Sequence, residues 1–327
     1  MNVTWRLAWR NLWRHGRRTW LTVGAMVFCN ALLVVMISFQ FGTYRMMIDG
    51  TLSILTGHIQ VLHESYNSEP RMRYTVPAGA ELAKRLREKT GLQAIAARGE
   101  TVALASSEER SFGVQILGVQ PSREPTVSNL PGLVKRGRYL EDNEADEIVI
   151  GSVLARNLKV DIGDEMTFLG SGREGSFAAG IATVTGIIDS GMTELDRSIA
   201  QIPLGYFQAA FEMEDHVHRV VVDLQELSAV KSTREQIASL VSDPQLAVLD
   251  WNELQPGLRQ AIQADMFSAV VMYAVLIVLV AFSVLNTQLM SVLERTREFG
   301  VMMALGLKPA GLARLVLLET AVMSLLG

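Results

Sequence analysis

The sequence predicts an α-helical transmembrane protein that carries a large α+β domain between its first and second spans. Two long runs, 20–44 and 266–293, lack any charged residue. Basic residues lie between each run and the nearer end of the chain. The residues between the two runs have the composition of a water-soluble domain. Hydrophobic residues make up 49% of the 327 residues, yet the mean hydropathy is only +0.23, because the apolar residues are concentrated in the two runs.

Each uncharged run is long enough to cross a bilayer. About 20 helical residues span the hydrocarbon core, and the two runs contain about 25 and about 28 residues. The first run follows a basic segment, as the core of a signal peptide does. However, it exceeds the roughly 7–15 apolar residues of a signal peptide, and no small-x-small cleavage site follows it. We therefore expect two transmembrane helices.

Arginines predict the orientation of these helices. Five arginines and no acid precede the first run, and the segment after the second run is also rich in basic residues. Because basic residues near membrane ends stay in the cytoplasm, we expect a cytoplasmic N-terminus and a domain outside the cytoplasm. The middle region is acidic by about ten charges, which argues against nucleic acid as a partner. The single cysteine, Cys29, permits no intrachain disulfide.

The first 18 residues predict an amphipathic helix that lies on the inner leaflet as an elbow. Tryptophan recurs at every fourth position, and an arginine follows each tryptophan. On a helix these residues form two neighbouring faces, and both residue types favour the headgroup region. A soluble helix with a tryptophan core is the alternative. The predicted elbow residues are Trp5, Arg6, Trp9, Arg10, Trp13 and Arg14.

The segment 294–306, which follows the second span, predicts a short cytoplasmic helix. It begins with charged residues and ends with apolar ones, Gly306 is a typical C-terminal stop, and Pro309 suits the first turn of a further helix. Alternating exposed charges and one aromatic anchor, Phe299, would suit a groove on a partner protein. A helix that merely lies on the membrane is the alternative. Residues 307–327 predict the start of an incomplete third span, so we expect the sequence to be truncated.

The middle region, 56–250, predicts an α+β domain. The flanking segments 19–55 and 251–293 each predict a span together with a stalk, a helical extension of the span toward this domain. Runs with alternating or β-branched residues predict strands, and they interleave with helical runs. A Pro- and Gly-rich stretch, Pro121–Leu140, predicts a division into two lobes. The predicted strands are His58–His63, Gln93–Ala105, Ser111–Val119, Glu147–Ile150, Glu165–Leu169, Ala179–Ile188 and Arg219–Leu224. The predicted helices are Ala80–Lys89, Val153–Lys159 and Ala229–Val241.

Phosphate-binding motifs in this region do not predict a nucleotide site. The motif Gly170-x-Gly172-x-x-Gly175 follows a strand, but a second strand and not a helix comes after it, so it predicts a hairpin loop. The pattern GxxxxGK[ST] does not occur. We expect any ATP to be bound by another chain.

A cluster of metal-ligating residue types precedes the last predicted strand. Consecutive residues of a strand point to opposite faces, and no second cluster completes a site, so we favour a polar turn over a metal site. The acidic loop 141–147 similarly lacks the EF-hand spacing. We predict no catalytic, metal or cofactor site. The cluster consists of Glu214, Asp215, His216 and His218.

Several segments together resemble the FtsX-like permease superfamily, which includes macrolide-exporter permeases, lipoprotein-releasing permeases and division-associated FtsX proteins. The most specific are RLAWRNLWRHGRRTWLT (6–22) and ERTREFGVMMALGLKPAGLARLVLLE (294–319). EIVIGSVLARNLKVDIGDEMTFLG (147–170) and LDWNELQPGLRQAIQAD (249–265) are also similar to that family. SGMTELDRSIAQIPLGYFQAAF (190–211) and SNLPGLVKRGRYL (128–140) look most like the lipoprotein-releasing branch.

This resemblance implies a four-span, non-catalytic permease subunit of the bacterial inner membrane, with its large domain in the periplasm. The implied partners are a separate ABC ATPase that binds ATP and Mg, a second permease subunit, and a lipoprotein or other periplasmic cargo. The implied function is lipoprotein release or transport toward the outer membrane. In such permeases the segment after the second span is a coupling helix that docks on the ATPase. The implied docking residues are Glu294, Arg295, Thr296, Arg297, Glu298, Phe299, Gly300, Ala304, Leu305 and Gly306.

Three other functions stay open from the sequence. One is an exporter of macrolides, peptides or lipids, and another is an FtsX-like regulator of a cell-wall hydrolase. The third is a two-span receptor with an outer sensing domain, although these residues contain no recognisable cytoplasmic signalling domain. The copurifying partner would discriminate among these functions.

Overall fold

The computed structural model describes residues 16–326 and, within that range, the side chains of all residues except 18, 19 and 323–326. The described residues belong to two compact units. One contains residues 47–258, and the other contains residues up to 46 and from 259 onward. The predicted amphipathic elbow, Trp5 to Arg14, lies outside the described residues.

The first helix, α1, extends without a break over Gly16–Thr51. It continues as one turn of π-helix, Leu52–Thr56, and ends at Gly57, whose φ of 66° is in the left-handed region. Residues 20–44 of this helix carry no charge, and no proline interrupts the helix. The predicted helical extension of the first span through residues 45–55 is therefore confirmed.

The unit 47–258 is an α+β domain with ten strands in one sheet. Every predicted strand and helix is observed to within two residues at each end. Three strands (β4, β8 and β10) and several short helices were not predicted. The elements are β1 Ile59–His63, α2 Gly79–Thr90, β2 Ile95–Ser106, β3 Ser111–Val119, α3 Glu124–Val127, β4 Val134–Gly137, β5 Glu147–Gly151, α4 Ser152–Leu158, β6 Glu165–Ser171, β7 Phe177–Ile188, α5 Thr193–Ser198, β8 Ile199–Pro203, α6 Leu204–Ala210, β9 Arg219–Val222, α7 Val230–Leu240, β10 Leu246–Asp250 and α8 Trp251–Leu254.

One part of the sheet has the order β10-β1-β9-β2, with each strand antiparallel to its neighbours. Strands β1 and β2 are therefore parallel, with β9 between them and α2 connecting them. The same relation holds for β9 and β10, which α7 connects. This is the split β-α-β arrangement of ferredoxin-like folds. Helices α2 and α7 share one apolar core with these strands, which includes Leu86 and Ile237.

The other part of the sheet closes on itself. Strand β6 pairs with β2 on one side and with β7 on the other, so β2, β3, β8, β5, β7 and β6 form a ring of six strands. Inward-facing side chains from all six strands pack in a second core with Phe207 and Phe211. Closure leaves the ring without a long exposed edge that would pair with other chains. The predicted hairpin loop at Gly170–Gly175 is confirmed, because it joins β6 and β7 within this ring.

The predicted division into two lobes near Pro121–Leu140 is wrong in its position. The two cores meet at β2, which contributes Ile95 and Ala97 to one core and Ala103 and Ala105 to the other. The stretch Pro121–Leu140 instead forms α3 and β4 and contributes residues to a third apolar cluster. Leu130 and Leu140 are buried in it, and Ile54 and Leu55 of the π-helical turn pack against it.

The remaining helices are α9 Pro256–Glu294, α10 Thr296–Ala304 and α11 Pro309–Leu326. Helices α1 and α9 contain the two candidate membrane spans by length and composition. Within the described residues, only 11% and 6% of the most apolar stretches of these two helices are buried. Near Asp265 the two helices share polar contacts, since Gln40 donates a hydrogen bond to the Asp265 carboxylate at 3.1 Å and the Tyr273 hydroxyl donates one to Gln40 at 2.7 Å.

Candidate coupling site

The candidate coupling site is α10 together with the turns on either side of it. Helix α9 ends at Glu294, and Arg295 has a non-helical backbone, with φ of −98° and ψ of 12°. At the other end, Leu307 donates its N–H to Met302 and Gly306 donates its N–H to Met303, both at 3.0 Å. This is a Schellman motif, which places Gly306 in the left-handed region, here with φ of 98°. The predicted helix, its stop at Gly306 and the restart at Pro309 are confirmed.

Two of the predicted docking residues are buried on the inner side of α10. Arg295 is 9% exposed and Phe299 is 4% exposed. The guanidinium of Arg295 lies 5.1 Å from the centre of the Phe299 ring, within the range of a cation–π contact. Phe299, the predicted aromatic anchor, is therefore covered and not open to a groove on a partner. The sequence pattern assigned the aromatic side chain to a partner protein, whereas the chain itself covers it.

The buried guanidinium of Arg295 has two carboxylate partners. Its Nη1 atom lies 2.9 Å from Oε2 of Glu319, and its Nε atom lies 3.3 Å from Oε2 of Glu298. Glu319 belongs to α11 and is itself only 6% exposed. No role was predicted for Glu319 from the sequence. An isolated acid in an apolar helix was the available signal, because such a charge is costly to bury unless it is paired.

The opposite side of α10 and the turn after it are open. The exposed side chains there combine two basic residues, Arg297 and Lys308, with a row of apolar ones, of which Val301 is 61% exposed and Leu305 is 83% exposed. Apolar surface of this kind, with a charged rim, is typical of a protein-binding surface. Of the predicted docking residues, the exposed ones are Glu294, Thr296, Arg297, Gly300, Ala304, Leu305 and Gly306, and Glu298 is half-buried.

A second structural feature that bears on coupling is the joint where α1 enters the domain 47–258. The π-helical turn leaves a row of backbone carbonyls without helical partners, and residues of the domain bind them one by one. The N–H of Asn129 donates to Ser53 at 2.8 Å, and the hydroxyl of Ser128 donates to Ile54 at 2.7 Å. The side chain of Arg98 donates to the carbonyl of Leu55. The turn is thereby fixed to the segment that follows α3.

Arg98 also forms the most deeply buried ion pair of this joint. Its Nη2 and Nε atoms lie 2.6 Å and 3.0 Å from the two carboxylate oxygens of Glu124, in a bidentate arrangement. Both side chains are almost completely inaccessible to solvent. Gln255, directly before α9, adds a contact to this joint, because its side-chain amide donates to the hydroxyl of Thr56 at 3.1 Å. The end of α1 and the residues just before α9 are thus bound to the same joint.

Two family models match the chain. The model of the MacB-like periplasmic core domain matches residues 19–240, and the model of the FtsX-like permease C-terminal region matches residues 270–327. The chain belongs to the MacB-like, FtsX-like permease family. The second match contains the whole candidate coupling site, and the first contains the joint except for Gln255.

Three relatives of this permease have names that bear on its function. The lipoprotein-releasing system transmembrane protein LolC of Xylella fastidiosa is 26% identical over 226 residues, which are 67% of this chain and 54% of the relative. LolE of Haemophilus influenzae, from the system of the same name, is 25% identical over 87% of this chain and 68% of its own. The pyoverdine export ATP-binding/permease protein PvdT of Pseudomonas fluorescens is 26% identical over 98% of this chain and 49% of its own. The permease thus spans about half the length of the first of these relatives.

The cluster of metal-ligating residue types before β9 is brought together only in part. Ligand atoms of Glu214, Asp215 and His216 lie within 4.8 Å of one another on the surface of this permease. Two neighbours compete for them, since Arg173 lies 3.3 Å from Glu214 and the Thr75 hydroxyl lies 2.8 Å from Nδ1 of His216. Burial lowers the pKa of His216, and Arg173 lowers it further. The fourth member, His218, points into the core and takes no part in the cluster.

Proposed function

We propose that this chain is the permease subunit of an ATP-binding-cassette transporter and that it couples ATP hydrolysis by a separate subunit to movement of its outer domain. The observation that carries the proposal is α10, a short helix with an open apolar and basic face directly after a candidate span, in a member of the MacB-like family. The names of LolC and LolE support lipoproteins as the cargo. Release would then lead toward the outer membrane.

In this proposal the full-length protein has four spans in the bacterial inner membrane. Its N-terminus and α10 lie in the cytoplasm, and the domain 47–258 lies in the periplasm. The arginines before α1 support this orientation, since basic residues are retained on the cytoplasmic side. The chain itself performs no hydrolysis. ATP and Mg bind the partner ATPase, and a second permease subunit completes the transporter.

The contacts described above give each part a mechanical role. The exposed side of α10 meets a groove on the ATPase, while Arg295 and Phe299 hold the other side to the permease. Movement of the helices reaches the outer domain through the joint at Leu52–Thr56, where the domain binds successive carbonyls of the turn.

Copurification of an ATPase tests the proposal. We expect a chain with a Walker motif to copurify with the mildly solubilised full-length protein. Val301→Asp would place a charge in the centre of the exposed apolar surface, and Arg297→Glu would reverse one of its basic charges. Each should reduce ATPase retention at least about tenfold, the effect of losing roughly 1.4 kcal/mol of binding free energy. A quantitative pull-down with a dilution series measures this effect.

A matched charge reversal in the outer domain is the control. Lys135→Glu changes an exposed basic residue of β4 and should leave ATPase retention unaltered. No ATPase with the wild-type chain, although the chain is folded in the membrane, would refute the transporter and favour the two-span receptor. Equal losses for Lys135→Glu and Arg297→Glu would show that net charge, and not docking, determines retention.

A second candidate function is export of a small molecule. The full-chain match to a protein named for pyoverdine export favours it. Spheroplasts that overproduce the transporter would discriminate between the two. Lipoprotein release predicts ATP-dependent appearance of acylated protein in the medium, whereas export predicts ATP-dependent efflux of the small molecule without any protein.

A further inference from the structure

The ion pair between Arg295 and Glu319 faces away from the open side of α10. Both side chains are buried, and the 2.9 Å contact joins the residue just before α10 to the third turn of α11. Helix α11 is otherwise apolar up to this point except for the exposed Arg314. A buried carboxylate in such a helix is tolerated when a cation is bound to it. The pair therefore resists separation.

The position of the pair gives it a mechanical consequence. Helix α10 has nine residues, and Glu319 is the eleventh residue of α11. At 1.5 Å per residue, both distances from the connecting turn are about 14–17 Å. The pair thus closes the open end of a helical hairpin whose other end is the turn at Leu305–Lys308. Fixed at both ends, α10 cannot tilt relative to α11 without breaking either the pair or the Schellman turn.

We propose that Arg295 and Glu319 are positioning residues that lock α10 and α11 into one rigid lever. The lever passes a displacement of α10, caused by the ATPase, directly to α11. Glu298 assists, because its carboxylate contacts the same guanidinium from within α10. The inference rests on the proposed function, since a lever requires an ATPase to move it.

The test separates ATP hydrolysis from the movement that hydrolysis drives. The full-length permease and its ATPase are reconstituted in vesicles of phosphatidylethanolamine and phosphatidylglycerol. A fluorophore on Phe177→Cys, an exposed position of β7, reports movement of the outer domain in a Cys29→Ser background. Glu319→Gln should retain the ATPase and keep its hydrolysis rate. The ATP-dependent fluorescence change should fall at least about fivefold, the lower end of typical coupling between sites.

Two further variants distinguish a lever from a merely stabilising contact. The exchange Arg295→Glu with Glu319→Arg restores an ion pair and should regain at least half of the fluorescence change. Leu315→Ala removes a buried side chain one turn before Glu319. It should lower the Tm of the complex but keep the fluorescence change per ATP hydrolysed.

Each outcome supports or overturns the lever. A full fluorescence change in Glu319→Gln overturns it, and so does an equal loss of that change in Leu315→Ala. If Glu319→Gln does not accumulate, the exchange variant decides: accumulation with a response supports the lever, and accumulation without one overturns it. A parent complex without ATP hydrolysis would refute the proposed function and the lever together, whereas a responsive parent beside an unaffected Glu319→Gln would refute the lever alone.

Discussion

At the scale of single residues, His218 is a fully buried histidine whose two ring nitrogens have opposite roles. The backbone N–H of Glu100 can only donate, so Nδ1 of His218 accepts its hydrogen bond at 3.0 Å. The proton is therefore on Nε2, which lies 3.3 Å from the carbonyl oxygen of Met72 and donates to it. Burial lowers the pKa of His218 to about 4, and the ring stacks on Tyr66 in its neutral form.

Acid should destabilise the outer domain through this histidine. The pKa of about 4 in the folded protein lies below the ordinary value of 6.5, so only the unfolded chain takes up the proton between these values. Above pH 6.5 His218 does not lower the free energy of unfolding of the domain. As the pH falls from 6.5 to 4, protonation of the unfolded chain lowers this free energy by about 3 kcal/mol. Thermal unfolding of the solubilised chain at several pH values should show this slope, and His218→Gln should flatten it. An unchanged slope in that variant would assign the acid sensitivity to other groups.

The ion pair of Arg98 and Glu124 should contribute strongly to the stability of the joint. Arg98→Met leaves the fully buried carboxylate of Glu124 without its cation, which typically costs about 3–5 kcal/mol. Adding Glu124→Gln removes that charge, so the double variant should be more stable than Arg98→Met by about 1 kcal/mol or more. Denaturant unfolding of the solubilised chain measures both. A double variant no more stable than the single one would show that packing, and not charge, limits this site.

At the scale of elements, the turn between α10 and α11 depends on one glycine. Gly306 has φ of 98°, where a side chain is strained, although nothing lies within 4 Å of the position of an added Cβ. Gly306→Ala should therefore destabilise the turn through the backbone, by about 1–2 kcal/mol. Gly300→Ala is the matched control, because it lies inside α10 with the same free space and should be neutral or stabilising by up to about 1 kcal/mol. Thermal unfolding of both variants, compared in one detergent, checks the difference. Equal effects would exclude the backbone explanation.

The same helix shows where sequence reasoning stops. The sequence predicted where α10 begins and ends from the charged residues at its start and from Gly306 and Pro309 after it. These signals could be read because each acts within a few residues. Which side of α10 is covered depends on α11, which folds back beside it. The partner of Arg295 is 24 positions away, so no local pattern connects the two. The π-helical turn at Leu52–Thr56 has no local signal either, since the residues that bind its carbonyls come from positions 98 to 129.

At the scale of the whole molecule, alternation predicted the long strands but not their order. Strands such as Ser111–Val119 contain the alternating or β-branched residues that favour a strand, which is a property of the segment itself. Closure of the ring requires β6 to meet both β2 and β7, and this pairing is decided by the shape of the shared core. The three missed strands are short, and two of them, Val134–Gly137 and Ile199–Pro203, end in glycine or proline, which are depleted in strands. Such segments become strands because the backbone of an adjacent strand in the sheet forms hydrogen bonds with them.

The orientation of the whole chain in the membrane gives the last prediction. The arginines near the start of the chain should hold the N-terminus in the cytoplasm, and each candidate span should cross the membrane once. In a Cys29→Ser background, Phe177→Cys in the outer domain should therefore react with a membrane-impermeant maleimide in intact spheroplasts. Arg297→Cys in α10 should react only after the membrane is permeabilised. The cysteine-free parent controls for background labelling. The reverse pattern would place the domain 47–258 in the cytoplasm, and α10 would then be on the wrong side of the membrane to meet an ATPase.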